Sequence, residues 1–155
     1  MSSNDKPVIR MAAAGDAEAI RRINLLTLGY DYGSGETANR LAAIMGKPND
    51  RVFVAETGGC VAGYIHGSDY DCSYMLPLKN IMALGVLEEY RGLGIGRALV
   101  GALEEWAKSD GCAGVRLVSS SYRTGAHEFY LRCGYNMRKE QKNFIKWFET
   151  GDGDR

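Results

Sequence analysis

Leu84-Gly85-Val86-Leu87-Glu88-Glu89-Tyr90-Arg91-Gly92-Leu93-Gly94-Ile95-Gly96-Arg97-Ala98-Leu99 is the stretch that decides the fold of this chain. Its first residues end an apolar run, Asn80 to Val86, suited to a buried central strand. Its last residues open a helix, because Ile95, Ala98, Leu99, Ala102 and Trp106 share one amphipathic face and Asp110-Gly111 closes it. Between the two lies Arg91-Gly92-Leu93-Gly94-Ile95-Gly96-Arg97. The first amide N–H groups of a helix have no intrahelical acceptor and sit at the positive end of its dipole. Glycines there let an anion approach the backbone, and Arg91 and Arg97 add positive charge. An ordinary strand-to-helix turn is the plainer alternative. It does not require three glycines, each of which costs about 1 kcal/mol against alanine in a helix. The spacing therefore predicts a phosphate site. It is not the dinucleotide pattern G-x-G-x-x-G, whose last glycine would fall on Arg97 or Leu99, and no stretch carries G-x-x-x-x-G-K-[ST].

Upstream, Val8 to Met11 reads as a strand and Asp16 as the cap of a helix through Ile20, Ile23 and Leu26. Gly29 to Gly35 interrupts the pattern, and Ala38, Leu41, Ala42 and Met45 mark a second helix that ends at Gly46 and Pro48. Val52 to Glu56 and Cys60 to Gly67 are two strands joined at Gly58-Gly59 in a tight hairpin. Ser68 to Pro77 is expected to be irregular. Downstream, Val115 to Val118 reads as a strand, and Ala126, Phe129, Tyr130 and Cys133 as a helix stopped by Gly134. Two closing strands are expected near Tyr135 to Arg138 and Asn143 to Phe148, and a frayed tail from Thr150 to Arg155. The order β-α-α-β-β-β-α-β-α-β-β is mixed α/β, a single domain over 1–155 with its ordered core at about 8–148.

Lys plus Arg and Asp plus Glu each number 19, so no chain-wide charge favours nucleic acid or an anionic membrane, and any bound anion must be held locally. No apolar run is long enough to span a bilayer, and the polar start at Met1 to Lys6 lacks the apolar stretch of a secretory signal, which points to the cytoplasm. Cys60, Cys72, Cys112 and Cys133 form no C-x-x-C pair, and only His66 and His127 could assist them, so packed free thiols are expected and no metal.

The quoted turn, together with Ala126-His127-Glu128-Phe129-Tyr130-Leu131-Arg132-Cys133-Gly134-Tyr135, resembles the GCN5-related N-acetyltransferases. The turn is similar to their acetyl-CoA signature R/Q-x-x-G-x-G/A after a strand. The second block is similar to their A-x-x-x-Y-x-x-x-G-[FY] helix. The resemblance runs from about Val8 to Phe148, and both blocks at their proper separation are far more telling than either alone. It implies an acyl-CoA N-acyltransferase fold, three layers with a central, mostly antiparallel sheet splayed between its fourth and fifth strands and flanked by helices. It also implies acetyl-CoA as co-substrate, with the amides of Gly92, Leu93, Gly94, Ile95, Gly96 and Arg97 around its pyrophosphate and Arg91 beside them. Main-chain groups of Leu84 and Val86 would meet the pantetheine arm or thioester near a strand bulge, for which Gly85 is suited.

By the same resemblance Tyr130 lies near the CoA sulfur, where a phenol can protonate the departing thiolate; a core aromatic is the plainer role. The family's strand glutamate corresponds to Asn80, which takes no proton at neutral pH. The base is then Glu88, Glu89, His66, Asp69 or Asp71 through water, or absent. Arg123 stands where the family often has an asparagine, and either reaches a CoA phosphate or caps the turn. Cys133 invites a nucleophile role, but packing is the default. The acceptor pocket is expected from Leu28 to Gly35 and Ser68 to Pro77. Tyr30, Asp31, Asp69 and Asn80 are its candidate residues, and the acidic and aromatic mix suits a cationic amine of a small molecule or a protein. The expected activity is acetyl transfer to a primary amine by direct attack on the thioester; the alternative is a catalytically weak CoA-binding sensor. A homodimer through the last strands is compatible with the sequence, which shows no interface pattern.

Overall fold

Gly58 and Gly59, at φ 57° and 78°, close the turn between β2 (Asp50–Thr57) and β3 (Cys60–Cys72). Two consecutive positive φ values are what a two-residue hairpin turn needs to match strand twist. The computed structural model describes residues 6–149, and the chain divides into two compact units, Met1–Val118 and Ser119–Arg155. In the first, β1 (Val8–Met11), β2, β3, β4 (Met75–Val86) and β5 (Gly114–Arg116) form one sheet in sequence order. All neighbours are antiparallel except β4 and β5, which run parallel.

Helices cover both faces of that sheet. On one face α1 (Ala17–Ile23) and α2 (Ser34–Met45) pack Ile20, Ile23 and Leu41 against Val52, Val54, Tyr64 and Leu87. On the other, α3 (Ile95–Ser109) buries Leu99, Leu103 and Trp106. Each fully buried leucine stabilises the fold by about 1.5–3 kcal/mol. Gly67 lets α3 lie close, since a Cβ there would stand 2.4 Å from Leu103 Cδ1. A π-helical turn, Asn24–Leu28, continues α1 and is tied to the sheet by a hydrogen bond from the Tyr64 hydroxyl to Asn24 Oδ1. No helix of the described residues is long and apolar enough to cross a membrane.

β5 pairs with β4 only through Leu78↔Gly114, Lys79↔Val115 and Asn80↔Arg116. From Met82 onward no strand of the described residues lies beside that edge of β4, which is the splay expected from the resemblance. Four expectations are corrected. The segment Ser68 to Pro77 is not irregular, because β3 and β4 extend their ladder to Cys72↔Met75, with Asp69 opposite Lys79 and Tyr70 opposite Leu78 across it. The bulge in β4 falls at Met82, where His66↔Ala83 is followed by Gly67↔Ile81, whereas Gly85 pairs regularly with Tyr64. The residues 135–149 carry no strand; Phe144, Ile145 and Phe148 are exposed there, and alternation without a ladder partner does not make a strand. The four cysteines are free, but Cys60 is exposed rather than packed. The second unit is organised around α4 (Thr124–Arg132), and the tail expected to fray lies outside the described residues.

Candidate active site

β4 delivers the chain directly into the glycine turn. Leu87 N–H donates to Ala62 O at 2.8 Å, so Leu87 hydrogen-bonds toward β3. By the alternation of an antiparallel ladder, Gly85 does too, while Leu84 and Val86 turn their main-chain groups to the opposite edge. That edge is the one β5 leaves open. Arg91 Nε donates to Val86 O at 3.1 Å, so of the Val86 pair the N–H is what remains on the edge. Gly85 serves a close approach rather than a bulge: a Cβ would stand 2.7 Å from Ile23 Cγ2 and 2.5 Å from Thr27 Oγ1.

A short turn over Glu88–Tyr90 follows, then Gly92 and Gly94 at φ 81° and 80°. Both values favour glycine strongly. Ala98 N–H donates to Gly94 O at 3.0 Å as the first bond into α3, and the amides of 92–96 have no main-chain acceptor among the described residues. Leu93 is exposed, whereas Ile95 is 1 % exposed and anchors the turn in the core. The result is an open rim of N–H groups at the positive end of a 15-residue helix, a setting that favours an anion.

The acceptor-site candidates do not converge. Tyr30 is exposed, and Asp31 forms a salt bridge with Arg21, Oδ1 to Nη2 3.3 Å. Asp69 pairs with Lys79, whose ammonium also meets Asp110 at 2.7 Å and lies 3.9 Å from the centre of the Trp106 ring. Asp69 is thus committed on the α3 side. Neighbouring residues of a strand face opposite ways, so Asn80 points to the α1–α2 side, and Asp69 and Asn80 cannot line one pocket. There Asn80 Oδ1 accepts from Arg116 Nη1, and the Arg116 guanidinium sits 4.2 Å from the centre of the Tyr70 ring. His66 Nε2 is 3.1 Å from Asp50 Oδ2.

Lys79 and Arg116 were not singled out by sequence reasoning. Lys79 could have been found: extending the strand by one residue puts it two before Ile81, on the buried face. Its burial pulls the ammonium down, but hydrogen bonds to Asp110 and Asp69 outweigh that and hold it raised. Arg116 lies inside an apolar run and gave no signal of its own.

Tyr130 and Arg123 belong to the second unit, Tyr130 in α4 and Arg123 at its N-cap. The Tyr130 ring stands edge-on to Phe129 and Tyr135, with centroids 5.2 and 5.7 Å away. Burial pushes its phenol up to about 12, against the opposing charge of Arg123. The hydroxyl is therefore protonated at neutral pH.

The profile of the Acetyltransferase (GNAT) family matches residues 17–135. An uncharacterized N-acetyltransferase of Methanocaldococcus jannaschii is 36% identical over 102 residues, which are 64% of this chain and 60% of that protein, so the chain spans well under two thirds of its length. The aminoglycoside N(6')-acetyltransferase type 1 of Stenotrophomonas maltophilia is 26% identical over 139 residues, 83% of this chain and 86% of the relative. Among solved structures, an aminoglycoside N-acetyltransferase in complex with CoA superposes with a TM-score of 0.81 over 94% of this chain and 98% of its own, at 18% identity. At that identity the likeness shows the fold alone.

Proposed function

The chain belongs to the GNAT acetyltransferase family, and we propose that it transfers an acetyl group from acetyl-CoA to a primary amine of a small molecule. The observation that carries this reading is the open edge of β4 running straight into the amide rim at the start of α3. The pyrophosphate of CoA fits the amides from Gly92 to Arg97, with Arg91 beside them. The pantetheine arm extends along the β4 edge, where the main chain of Leu84 and the Val86 N–H offer hydrogen bonds of strand type. Arg123 serves a CoA phosphate. The family match runs through both compact units, which supports 1–155 as one functional domain.

The chemistry needs few side chains. The neutral amine attacks the thioester carbonyl carbon, the C–S bond breaks, and the electron pair leaves on sulfur. Tyr130, a neutral phenol at neutral pH, gives its proton to that thiolate and regains one from water; the nitrogen sheds its extra proton to solvent. Asn80 is bonded to Arg116 and carries no basic group, so deprotonation of the amine is left to bulk water. Thiol release from acetyl-CoA over a panel of amines tests the reading. Turnover is expected with at least one amine, and Tyr130→Phe is expected to lower kcat far more than it weakens acetyl-CoA binding. No thiol release with any amine overturns the proposed activity, and unchanged turnover in Tyr130→Phe removes Tyr130 from the mechanism.

A further inference from the structure

A polar row crosses the sheet on its α1–α2 face. The register pairs Asp50 with Ser68, Ser68 with Asn80, and Asn80 with Arg116, so four adjacent strands each place one polar residue in line. At about 4.8 Å per strand the row is about 14 Å long. All four residues are half-buried, beyond the apolar cluster under α1 and α2.

The two ends of the row differ in charge balance. At one end the Asp50 carboxylate has the His66 ring as its partner, with Nε2 3.1 Å from Oδ2. At the other, Arg116 is held by groups that do not neutralise it: the Asn80 amide oxygen and the Tyr70 ring face. Its Nε is enclosed and has no hydrogen-bond partner, and no carboxylate pairs with it among the described residues. The acids of the neighbouring ladder position and of the α3 end, Asp69 and Asp110, are committed to Lys79 on the opposite face. A guanidinium fixed in orientation, partly desolvated and lacking a counter-ion is a receptor for a planar anion. Asn80 precedes Leu84 by four residues, one of which is the bulge at Met82. Three regular steps of about 3.3 Å put Arg116's level about 10 Å from the β4 edge where acetyl transfer is proposed. The Tyr70 ring that holds the guanidinium belongs to the next ladder level on that face, Tyr70↔Leu78, on the side away from Leu84, so the acceptor itself has to span about 10 Å or more between its carboxylate and its amine.

We infer that Arg116 binds a carboxylate of the acceptor, so that the acceptors are small amines bearing a carboxylate group rather than polycations. This rests on the acetyl transfer proposed above and names the substrate class of that site. An ammonium-rich acceptor such as an aminoglycoside meets an unneutralised cation there and is disfavoured, despite the fold shared with enzymes named for such substrates.

Thiol release is measured with amino acids of increasing chain length, each matched with its own carboxamide, and with spermidine and an aminoglycoside. The acid form is expected to exceed the amide form in kcat/KM by about tenfold or more, the size of a charge-assisted hydrogen bond. Arg116→Gln brings that ratio close to one through KM, and Arg116→Lys lowers it only in part. Thermal melts establish that each variant folds, and should Arg116→Gln fail to fold, the Lys variant decides. A wild-type preference for amides or polycations, or a ratio unchanged in the folded variants, overturns the inference. Where no amine is acetylated, the transfer reading fails by itself. Arg116 is then read from melting shifts with CoA present. A shift from N-acetylglycine that N-acetylglycinamide does not give, and that Arg116→Gln loses, upholds the carboxylate site; equal shifts refute it.

Discussion

Gly85→Ala probes the seam between the π-helical turn and the strand that leads to the amide rim. The added Cβ would stand 2.5 Å from Thr27 Oγ1 and 2.7 Å from Ile23 Cγ2, about 1 Å inside ordinary contact. Ile23 is fully buried, and Thr27 is tied by its hydroxyl to Ile23 O at 2.7 Å, so neither can swing away without moving the turn. Over-packing of this kind costs about 1–3 kcal/mol. Gly85 does not have a positive φ, so alanine also lowers the entropy of the unfolded chain, worth about 0.4–1 kcal/mol in the other direction. The balance is a loss of about 1–2 kcal/mol, or roughly 2–8 °C in Tm for a chain of this size. Urea denaturation of wild type, Gly85→Ala, Thr27→Ala and the double variant gives the coupling. The double variant should be more stable than additivity requires by at least about 0.5 kcal/mol, because one of the two overlaps is gone. A Gly85→Ala protein as stable as wild type, or strict additivity in the cycle, would refute the claim that this glycine makes room for the turn.

Gly94→Ala meets a φ of 80° and should lose about 1–2 kcal/mol of stability together with acetyl-CoA affinity. Gly111→Ala, at φ 73° after the other end of α3, should show the same stability loss with affinity intact, so equal affinities in calorimetric titration count against the amide rim. Asp16 accepts two hydrogen bonds from Arg10 at 2.8 and 3.0 Å and one from Ala13 N–H at 2.8 Å, and the Arg10 bonds hold its carboxyl below the usual range. Asp16→Asn should therefore cost about 1–2 kcal/mol at neutral pH, after discounting for the partly exposed Arg10. A depressed folded pKa gives stability that is present above the unfolded value near 3.9 and is lost as pH falls through the lower folded value. The gap between wild type and variant should thus close below about pH 4, and a gap constant down to pH 2 contradicts the ion pair's role.

Much of the fold is legible in local chemistry. Gly58-Gly59 between two apolar runs forces a hairpin, and the face of Ile95, Leu99 and Trp106 forces α3, because in each case neighbouring residues carry the whole signal. The splay and the open edge followed from the family resemblance, not from periodicity. What stayed hidden depends on partners distant in sequence. Asp69 looks like a free acid until β4 brings Lys79 beside it. Asn80 looks like a bare departure from a glutamate until β5 brings Arg116 to the same level of the sheet. The residues 143–148 alternate as a strand should, yet a strand exists only with a ladder to join, and none of the described strands supplies one.

The glycines sort into two physical kinds, and the difference bears on the site. At Gly85 the missing Cβ is a matter of space, and the chain's own helix fills it. At Gly92 and Gly94 nothing lies within 4 Å of where a Cβ would be, and the positive φ values alone account for the residue type. Two of the turn's three glycines are therefore explained by its backbone path and are no measure of anion binding by themselves, whereas Gly96 lies within α3 without a positive φ. What remains specific is the sequence of events along one continuous segment. The outward-facing main chain at Leu84 and Val86 is followed within eight residues by amides, Gly92 to Gly96, that have no main-chain acceptor among the described residues. A ligand with an extended, amide-bearing arm ending in a diphosphate meets both features in the order in which the chain presents them, whereas an isolated phosphate uses only the second. Acetyl-CoA affinity should accordingly exceed that of inorganic pyrophosphate by far more than charge explains, because the strand edge contributes hydrogen bonds that only the longer ligand reaches.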